Sequence, residues 1–207
     1  MFITIEGGEG AGKTTQISYL KNSLEPFYKD IIVTREPGGT ETAEAMRDLF
    51  TQHKGNQWPV KAQALLMFAA RNDHWEQVIK PALSRKQAVI CDRFTDSTLV
   101  YQGYAGGMNL QELGTIAAIA TDGQAPHMTF ILDIDPRQGL KRAQNRASAD
   151  EDTFEENDIA FHDKLRHGFL DIAQNDPRRC RVIDATQTEA VIAAEIFDHV
   201  RKAIQHV

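Results

Sequence analysis

No apolar run in this chain is longer than a strand, so no segment is expected to span a membrane. Basic residues do not dominate: 23 lysines and arginines stand against 29 aspartates and glutamates, for a formal net charge of −6. Without a basic footprint, sequence-independent binding to nucleic acid is not expected. Cysteine is nearly absent. The two present, Cys91 and Cys180, each lie in an apolar strand-like run, which predicts reduced core thiols in a cytoplasmic protein rather than a disulfide or a metal site. No basic stretch with a cleavage site precedes the first apolar run, so no secretory signal is expected. No internal repeat, low-complexity tract or linker interrupts the 207 residues, a length that favours one domain with a proper core. What remains is ordinary globular composition, 42% hydrophobic and 25% charged.

Five short apolar runs alternate with helix-like stretches. The runs are Phe2–Ile5, Ile31–Thr34, Ala88–Cys91, Thr129–Ile134 and Arg181–Ile183. Most are continuous rather than alternating, which suits parallel strands covered on both faces. Helical patterns cover about 14–24, 42–52, 60–83, 110–121, 136–146, 158–174 and 189–204. This rhythm predicts an α/β fold with an open, mostly parallel sheet wrapped by helices. Ligands in such sheets bind at the carboxyl ends of the strands.

The first such end carries the strongest motif. Residues Gly7-Gly8-Glu9-Gly10-Ala11-Gly12-Lys13-Thr14 form a complete G-x-x-x-x-G-K-[ST] phosphate loop between a strand-like run and a helix-like run opening at Thr15. Glycines let successive backbone N–H groups turn inward toward phosphate oxygens, and the following helix start adds its positive dipole end. Lys13 is expected on the outer phosphates, and the Thr14 hydroxyl on Mg²⁺.

The third strand ends in Asp92-Arg93. An acid closing a buried strand is costly unless it serves a cation or hydrogen bonds, so beside a phosphate loop Asp92 is expected in the Mg²⁺ shell. Arg93 offers a planar fork that can bridge two phosphates. The second strand ends Arg35-Glu36-Pro37-Gly38-Gly39-Thr40. Pro37 to Gly39 read as a turn, while Arg35 stands where it can clamp a phosphate or the backbone. Farther on, Met67, Phe68 and Arg71 lie one turn apart on a helical pattern. They could stack and read a base, or be a core Phe with a surface Arg. After Arg93, the groups of Ser97, Thr98, Tyr101 and Gln102 could line a sugar–base pocket; equally, Asp96, Ser97 or Thr98 could cap a helix start.

One stretch is segregated by charge. Between Pro136 and Ser148 there are Arg137, Lys141, Arg142 and Arg146 and no acid; between Ala149 and Asp158 there are six acids and no base. A solvated hairpin accounts for this, and so does a basic segment that closes over phosphates.

Taken together, these segments resemble thymidylate kinases. The matching pieces are G-G-E-G-A-G-K-T-T at 7–15, T-R-E-P-G-G-T at 34–40, M-F-A-A-R at 67–71, V-I-K-P-A-L at 78–83, D-R-F-x-x-S-T-x-x-Y-Q-G at 92–103, G-L-K-R-A at 139–143 and I-D-A-T-Q at 183–187. They are collinear and cover nearly the whole chain. The resemblance implies a phosphate-loop, three-layer α/β sandwich of the nucleoside monophosphate kinase kind, with a five-stranded parallel sheet and a lid at about 141–156. It further implies a homodimer that transfers the γ-phosphate of ATP to dTMP. On the matching positions it implies ATP contacts from Gly7 through Thr15, Arg142, Thr186 and Gln187. For the acceptor it implies Glu9 near the sugar, Arg35 on the phosphate with Glu36 and Pro37 beside it, Arg71 and Thr98 on the base edge, and Tyr101 against a 2′-hydroxyl. Ser97 and Gln102 belong to the same pocket, and Arg93 clamps donor and acceptor phosphates.

The chain departs from relatives at three places. Where many stack thymine on a Phe four residues before the Arg, this chain has Met67, with Phe68 one step off. Tyr104-Ala105-Gly106-Gly107 lacks an Arg common in bacterial relatives, and Asp152-Thr153-Phe154-Glu155 replaces a common Asp-Arg-x-Glu. The variable loop positions Gly8, Glu9, Gly10 and Ala11 carry no base, so the catalytic cations are expected to be Lys13, Arg93, Arg142 and Arg146, the last two from the lid. The rivals are a kinase of the same fold with another acceptor, and a regulatory switch; against the latter, no N-K-x-D guanine motif is present.

Overall fold

A computed structural model describes residues 1–145 and 158–205. All five expected strands are present: β1 (Phe2–Gly7), β2 (Ile31–Arg35), β3 (Ala88–Asp92), β4 (Met128–Asp133) and β5 (Cys180–Asp184). They pair in parallel in the order β2-β3-β1-β4-β5. The central strands FITIEG and AVICD are buried almost throughout, which explains why their apolar residues do not alternate.

The helices are α1 (Lys13–Leu24), α2 (Glu41–Gln52), α3 (Val60–His74), α4 (Lys80–Ser84), α5 (Thr95–Thr98), α6 (Leu110–Ala120), α7 (Pro136–Gln144), α8 (Ile159–Asn175) and α9 (Glu189–Gln205). Several start where a side chain satisfies the first free N–H groups. Thr40 accepts from Ala43 N before α2, Asp135 from Arg137 N and Gln138 N before α7, and Asp158 from Phe161 N before α8. The stretch expected as one helix from Val60 to Leu83 is helical throughout but changes its winding on the way. Wider, π-type turns at Trp75–Ile79 separate α3 from α4. Pro81 follows at once; it has no N–H for the carbonyl of Gln77 and its ring crowds that carbonyl, so a wider turn relieves the clash.

Helices cover both faces of the sheet. On one, Ile3, Ile5, Phe130 and Leu132 meet Leu20 and Leu24 of α1 and Ile192 and Ile196 of α9. On the other, Phe2, Val89 and Cys91 meet Trp75 and Ile79, while Ile131 and Cys180 meet Leu165, Phe169 and Ile172 of α8. Both cysteines are free and buried, as their apolar surroundings predicted. A smaller cluster, including Ala64, Phe68, Leu113 and Ala117, fastens α3 to α6.

Register decides where the chemistry can lie. Asp92 is level with Ile5 on one side and with Arg35 on the other. The phosphate loop after β1, the turn after β2 and Arg93 after β3 therefore open along one edge, the carboxyl edge of the sheet.

Candidate active site

The phosphate loop leaves β1 at Gly7 and enters α1 at Lys13. Lys13 Nζ donates to the carbonyls of Gly7 (3.3 Å) and Gly8 (3.1 Å). Burial and the neighbouring Arg93 lower its pKa, against the pull of Glu9, Asp92 and Glu6. Behind the loop, backbone lies against backbone. Gly10 has φ +66°, and a Cβ there would run into the carbonyl of Gly139 in α7; a Cβ at Gly139 would meet the carbonyl of Glu9. Glycine at 10 and 139 is what lets α7 press on the loop.

Lys13, Thr14, Arg35, Asp92 and Arg93 line one cavity with Arg47. Within it, Asp92 Oδ1 is buried and accepts no hydrogen bond. A carboxylate oxygen without a donor, together with a threonine hydroxyl, fits a hard divalent cation. Arg35, half exposed, pairs with Glu44 at 3.1 Å.

Arg93 has φ +68°, a strained backbone for a side chain with a Cβ. Its guanidinium is held from three sides. Nη1 donates to Gly7 O (3.1 Å) and Ser97 Oγ (3.2 Å), and Nη2 to Glu9 Oε1 (2.9 Å). Tyr101 donates its hydroxyl to the same Glu9 oxygen (2.9 Å), and its ring lies 5.3 Å from the Arg93 guanidinium carbon. Burial alone would raise the Glu9 carboxyl; Arg93, Lys13 and the Tyr101 hydroxyl outweigh it and hold it at about 2. The arrangement is anchored by Glu6, which is fully buried. It accepts from Phe94 N (2.7 Å) and Ser97 Oγ (2.6 Å), and burial together with the charge of Asp96 pushes its carboxyl up to about 7.

The helix-capping alternative for residues 96–98 does not hold. No side chain caps α5. Asp96 accepts a bidentate pair from Arg179 (2.6 and 3.0 Å), Ser97 donates to Glu6, and Thr98 Oγ1 accepts from Arg71 Nη1 (3.0 Å).

Arg71 is almost fully buried beside a second cleft. Nε donates to Glu36 Oε2 (2.6 Å) and Nη2 to Phe94 O (3.0 Å). Glu36, Pro37, Met67, Arg71, Arg93, Ser97, Thr98, Tyr101 and Gln102 all line this cleft. Of the other residues expected at the acceptor, Glu9 and Arg35 line the cavity beside Lys13 instead, and Phe68 lines neither. It is 3% exposed and packed in the α3–α6 core, and its ring lies 5.0 Å from the Arg71 guanidinium carbon. One residue is about 100° around a helix, and α3 turns Met67 toward the cleft and Phe68 toward α6. Three lining residues were not expected from sequence: Arg47, Phe50 and Thr51 of α2.

Across the phosphate loop, Gly10, Ala11, Gly12 and Thr15 line a third cavity with Arg142, Ala185 and Gln187. Arg142 donates to Ala185 O at 2.9 Å. Thr186 is not in that lining; it donates its N–H and hydroxyl to Asp184 (2.9 and 2.6 Å). Arg146 and the rest of the expected lid, with the acidic run up to Glu156, lie outside the described residues.

A phosphate loop on a parallel sheet, facing an arginine-lined cleft for a second molecule, defines a phosphate-loop kinase with a small acceptor. The chain belongs to the thymidylate kinase family, whose model matches residues 5–196, and it is a phosphotransferase. It is 45% identical over 197 residues to a thymidylate kinase of Caulobacter vibrioides, an alignment covering 95% of this chain and 94% of the relative. It is 42% identical over 191 residues to one of Syntrophotalea carbinolica, covering 90% and 88%. The crystal structure of thymidylate kinase from Ehrlichia chaffeensis matches at TM-score 0.79 and 34% identity, covering 97% of this chain and 98% of that one.

Proposed function

We propose that the chain transfers the γ-phosphoryl group of ATP to dTMP, giving dTDP, with ATP on the phosphate loop and dTMP in the Arg71 cleft. One observation carries this reading: Arg93 lines both the cavity beside Lys13 and the acceptor cleft. A guanidinium there meets both phosphates at once.

A phosphate monoester has a second pKa near about 6 and is largely dianionic at neutral pH, so the acceptor needs no general base. The work is to bring two polyanions together in line. Lys13 and Arg93 supply fixed positive charge, and Arg142 and Arg146 add it from α7 and beyond. Thr14 and Asp92 would hold Mg²⁺, which supplies charge neutralisation on the donor phosphates. Arg35 and Arg47 meet the acceptor phosphate. Three of the five N–H donors of Arg71 are engaged by Glu36, Thr98 and Phe94, which leaves one on each terminal nitrogen for a carbonyl of the base. Met67 and Phe50 form the apolar walls for the ring, and Gln102 closes the cleft. Tyr101, pinned to Glu9, stands against a 2′-hydroxyl.

The chain works as a homodimer in this scheme. Leu65 on α3 is 57% exposed and Ile119 on α6 is 73% exposed, and these two helices pack side by side. Their apolar outer face suits a second copy of the chain. A cytoplasmic site fits the two free thiols; no described helix is long and apolar enough to cross a membrane.

ADP release from ATP with Mg²⁺ tests the assignment, with dTMP, dUMP, AMP and thymidine as acceptors. dTMP is expected to stimulate release most. Equal stimulation by AMP or thymidine overturns the choice of acceptor.

A further inference from the structure

His74 has no part in the scheme above, yet it is fully buried directly beneath the base-reading arginine. It follows Arg71 by three positions on α3, so the two side chains share a face. His74 Nδ1 lies 2.9 Å from Glu36 Oε1, and the other oxygen of Glu36 accepts from Arg71 Nε at 2.6 Å. The far nitrogen of the imidazole, Nε2, lies 2.7 Å from Thr34 Oγ1. A continuous chain thus runs Thr34–His74–Glu36–Arg71, from the end of β2 to the wall of the cleft.

The turn after β2 closes over this chain. A Cβ at Gly39, where φ is +89°, would collide with both the imidazole and the Thr34 hydroxyl. The backbone at 39 therefore roofs the ring, and Pro37 of the same turn lines the acceptor cleft. The imidazole is fixed by a hydrogen bond at each nitrogen and by packing from above.

The terminal torsion of a glutamate is broad, so a carboxylate held by one donor can rock. Two donors from one helix, one on each oxygen, remove that freedom. An arginine tied to a fixed carboxylate presents its fork in one plane. We infer that His74 is a positioning residue for base recognition: through Glu36 it sets the plane of the Arg71 fork, and with it the preference for a base carrying a carbonyl over one carrying an amino group at the same edge. This rests on the reading that Arg71 meets the base.

The test uses the full-length protein and the variants His74→Leu, His74→Asn and Thr34→Val, with kcat and KM measured for dTMP, dCMP and ATP. Wild type comes first: if it does not prefer dTMP to dCMP, the assignment of Arg71 to the base falls, whatever the variants do. Leucine fills the space but donates nothing, so His74→Leu should lower the dTMP-over-dCMP ratio of kcat/KM about ten- to hundredfold. The change should lie mainly in KM for dTMP, with KM for ATP unchanged. Asparagine offers an N–H where Nδ1 stands and should restore most of the ratio. Thr34→Val should give a smaller loss in the same direction, and it decides the matter if His74→Leu does not fold. A folded His74→Leu with the wild-type ratio overturns the inference. So does an equal worsening of all three substrates, the mark of general loosening, or a His74→Asn no better than His74→Leu. If only Thr34→Val can be measured, an unchanged ratio overturns it.

Discussion

Replacing Tyr101 by phenylalanine removes one oxygen atom and leaves the ring under Arg93. That oxygen donates to Glu9 Oε1 at 2.9 Å, the same atom that accepts from Arg93. A hydrogen bond to a charged acceptor contributes about 1.5–3 kcal/mol. At about 1.36 kcal/mol per pH unit, its loss should move the Glu9 carboxyl up by about 1–2 units. In the intact protein burial pushes that carboxyl up, but Arg93, Lys13 and the Tyr101 hydroxyl hold it at about 2. Because the folded pKa lies below the unfolded value, the stability Glu9 contributes is present above the ordinary carboxylate range and is lost as pH falls toward 2. The variant should therefore be less stable by about 1.5–3 kcal/mol at pH 7. The gap should stay constant down to about pH 4 and close between about pH 4 and 2. Urea unfolding at neutral pH and near pH 3 reads both quantities. A gap of equal size at the two pH values, or one below about 0.5 kcal/mol at pH 7, would refute the coupling of Tyr101 to Glu9. The same variant opens the space beside the sugar, so its kcat/KM ratio for deoxyribo- over ribo-acceptor should fall. An unchanged ratio removes Tyr101 from sugar discrimination.

Lys13→Ala and Arg93→Ala should each lower kcat about 10²–10³-fold while the far-ultraviolet circular dichroism stays native; wild-type turnover in either removes that residue from the phosphoryl-transfer machinery. Arg142→Ala and Arg146→Ala should cut kcat more than they weaken dTMP binding, since a cation that meets only developing charge acts in the transition state. If both keep full kcat, the segment after α7 supplies no catalytic charge. The proposed dimer through α3 and α6 predicts that the wild type sediments as a dimer and Ile119→Glu as a monomer in analytical ultracentrifugation; a monomeric wild type overturns the dimer, and a variant dimer of unchanged dissociation constant places the interface elsewhere.

The elements that make the fold were largely written in local patterns. Strands β1, β3 and β4 could be read because each is a near-continuous apolar run buried on both faces; the edge strands β2 and β5 are only partly buried and were read from shorter apolar runs in the same alternation with helices. The phosphate loop and Asp92-Arg93 could be read because their chemistry depends on adjacency along the chain. The acceptor cleft was harder, since its walls depend on how helices are rotated. Met67 and Phe68 are both near Arg71 in sequence, and only the packing of α3 against α6 decides which one faces the cleft. Arg47, Phe50 and Thr51 are on α2, far from any motif, and an amphipathic helix does not say whether its apolar side meets core or ligand. Glu6 did carry a signal: an acid closing a buried strand, the argument that singled out Asp92, applies to it equally. Its partners, Phe94 and Ser97, sit at and in α5, the helix that follows β3, and become visible only once β1 and β3 are paired.

The contact between Gly10 and Gly139 is a ruler of the shortest possible length. Most distances between two elements pass through side chains, which differ in size and can bend. Here a main chain rests on a main chain, and a fixed rise per residue separates Gly139 from Arg142 three positions on. The place from which the Arg142 side chain starts is then set by peptide geometry alone. Neither glycine should drift: an alanine at either would have to push α7 off the loop, and no substitution at the other could take back the space.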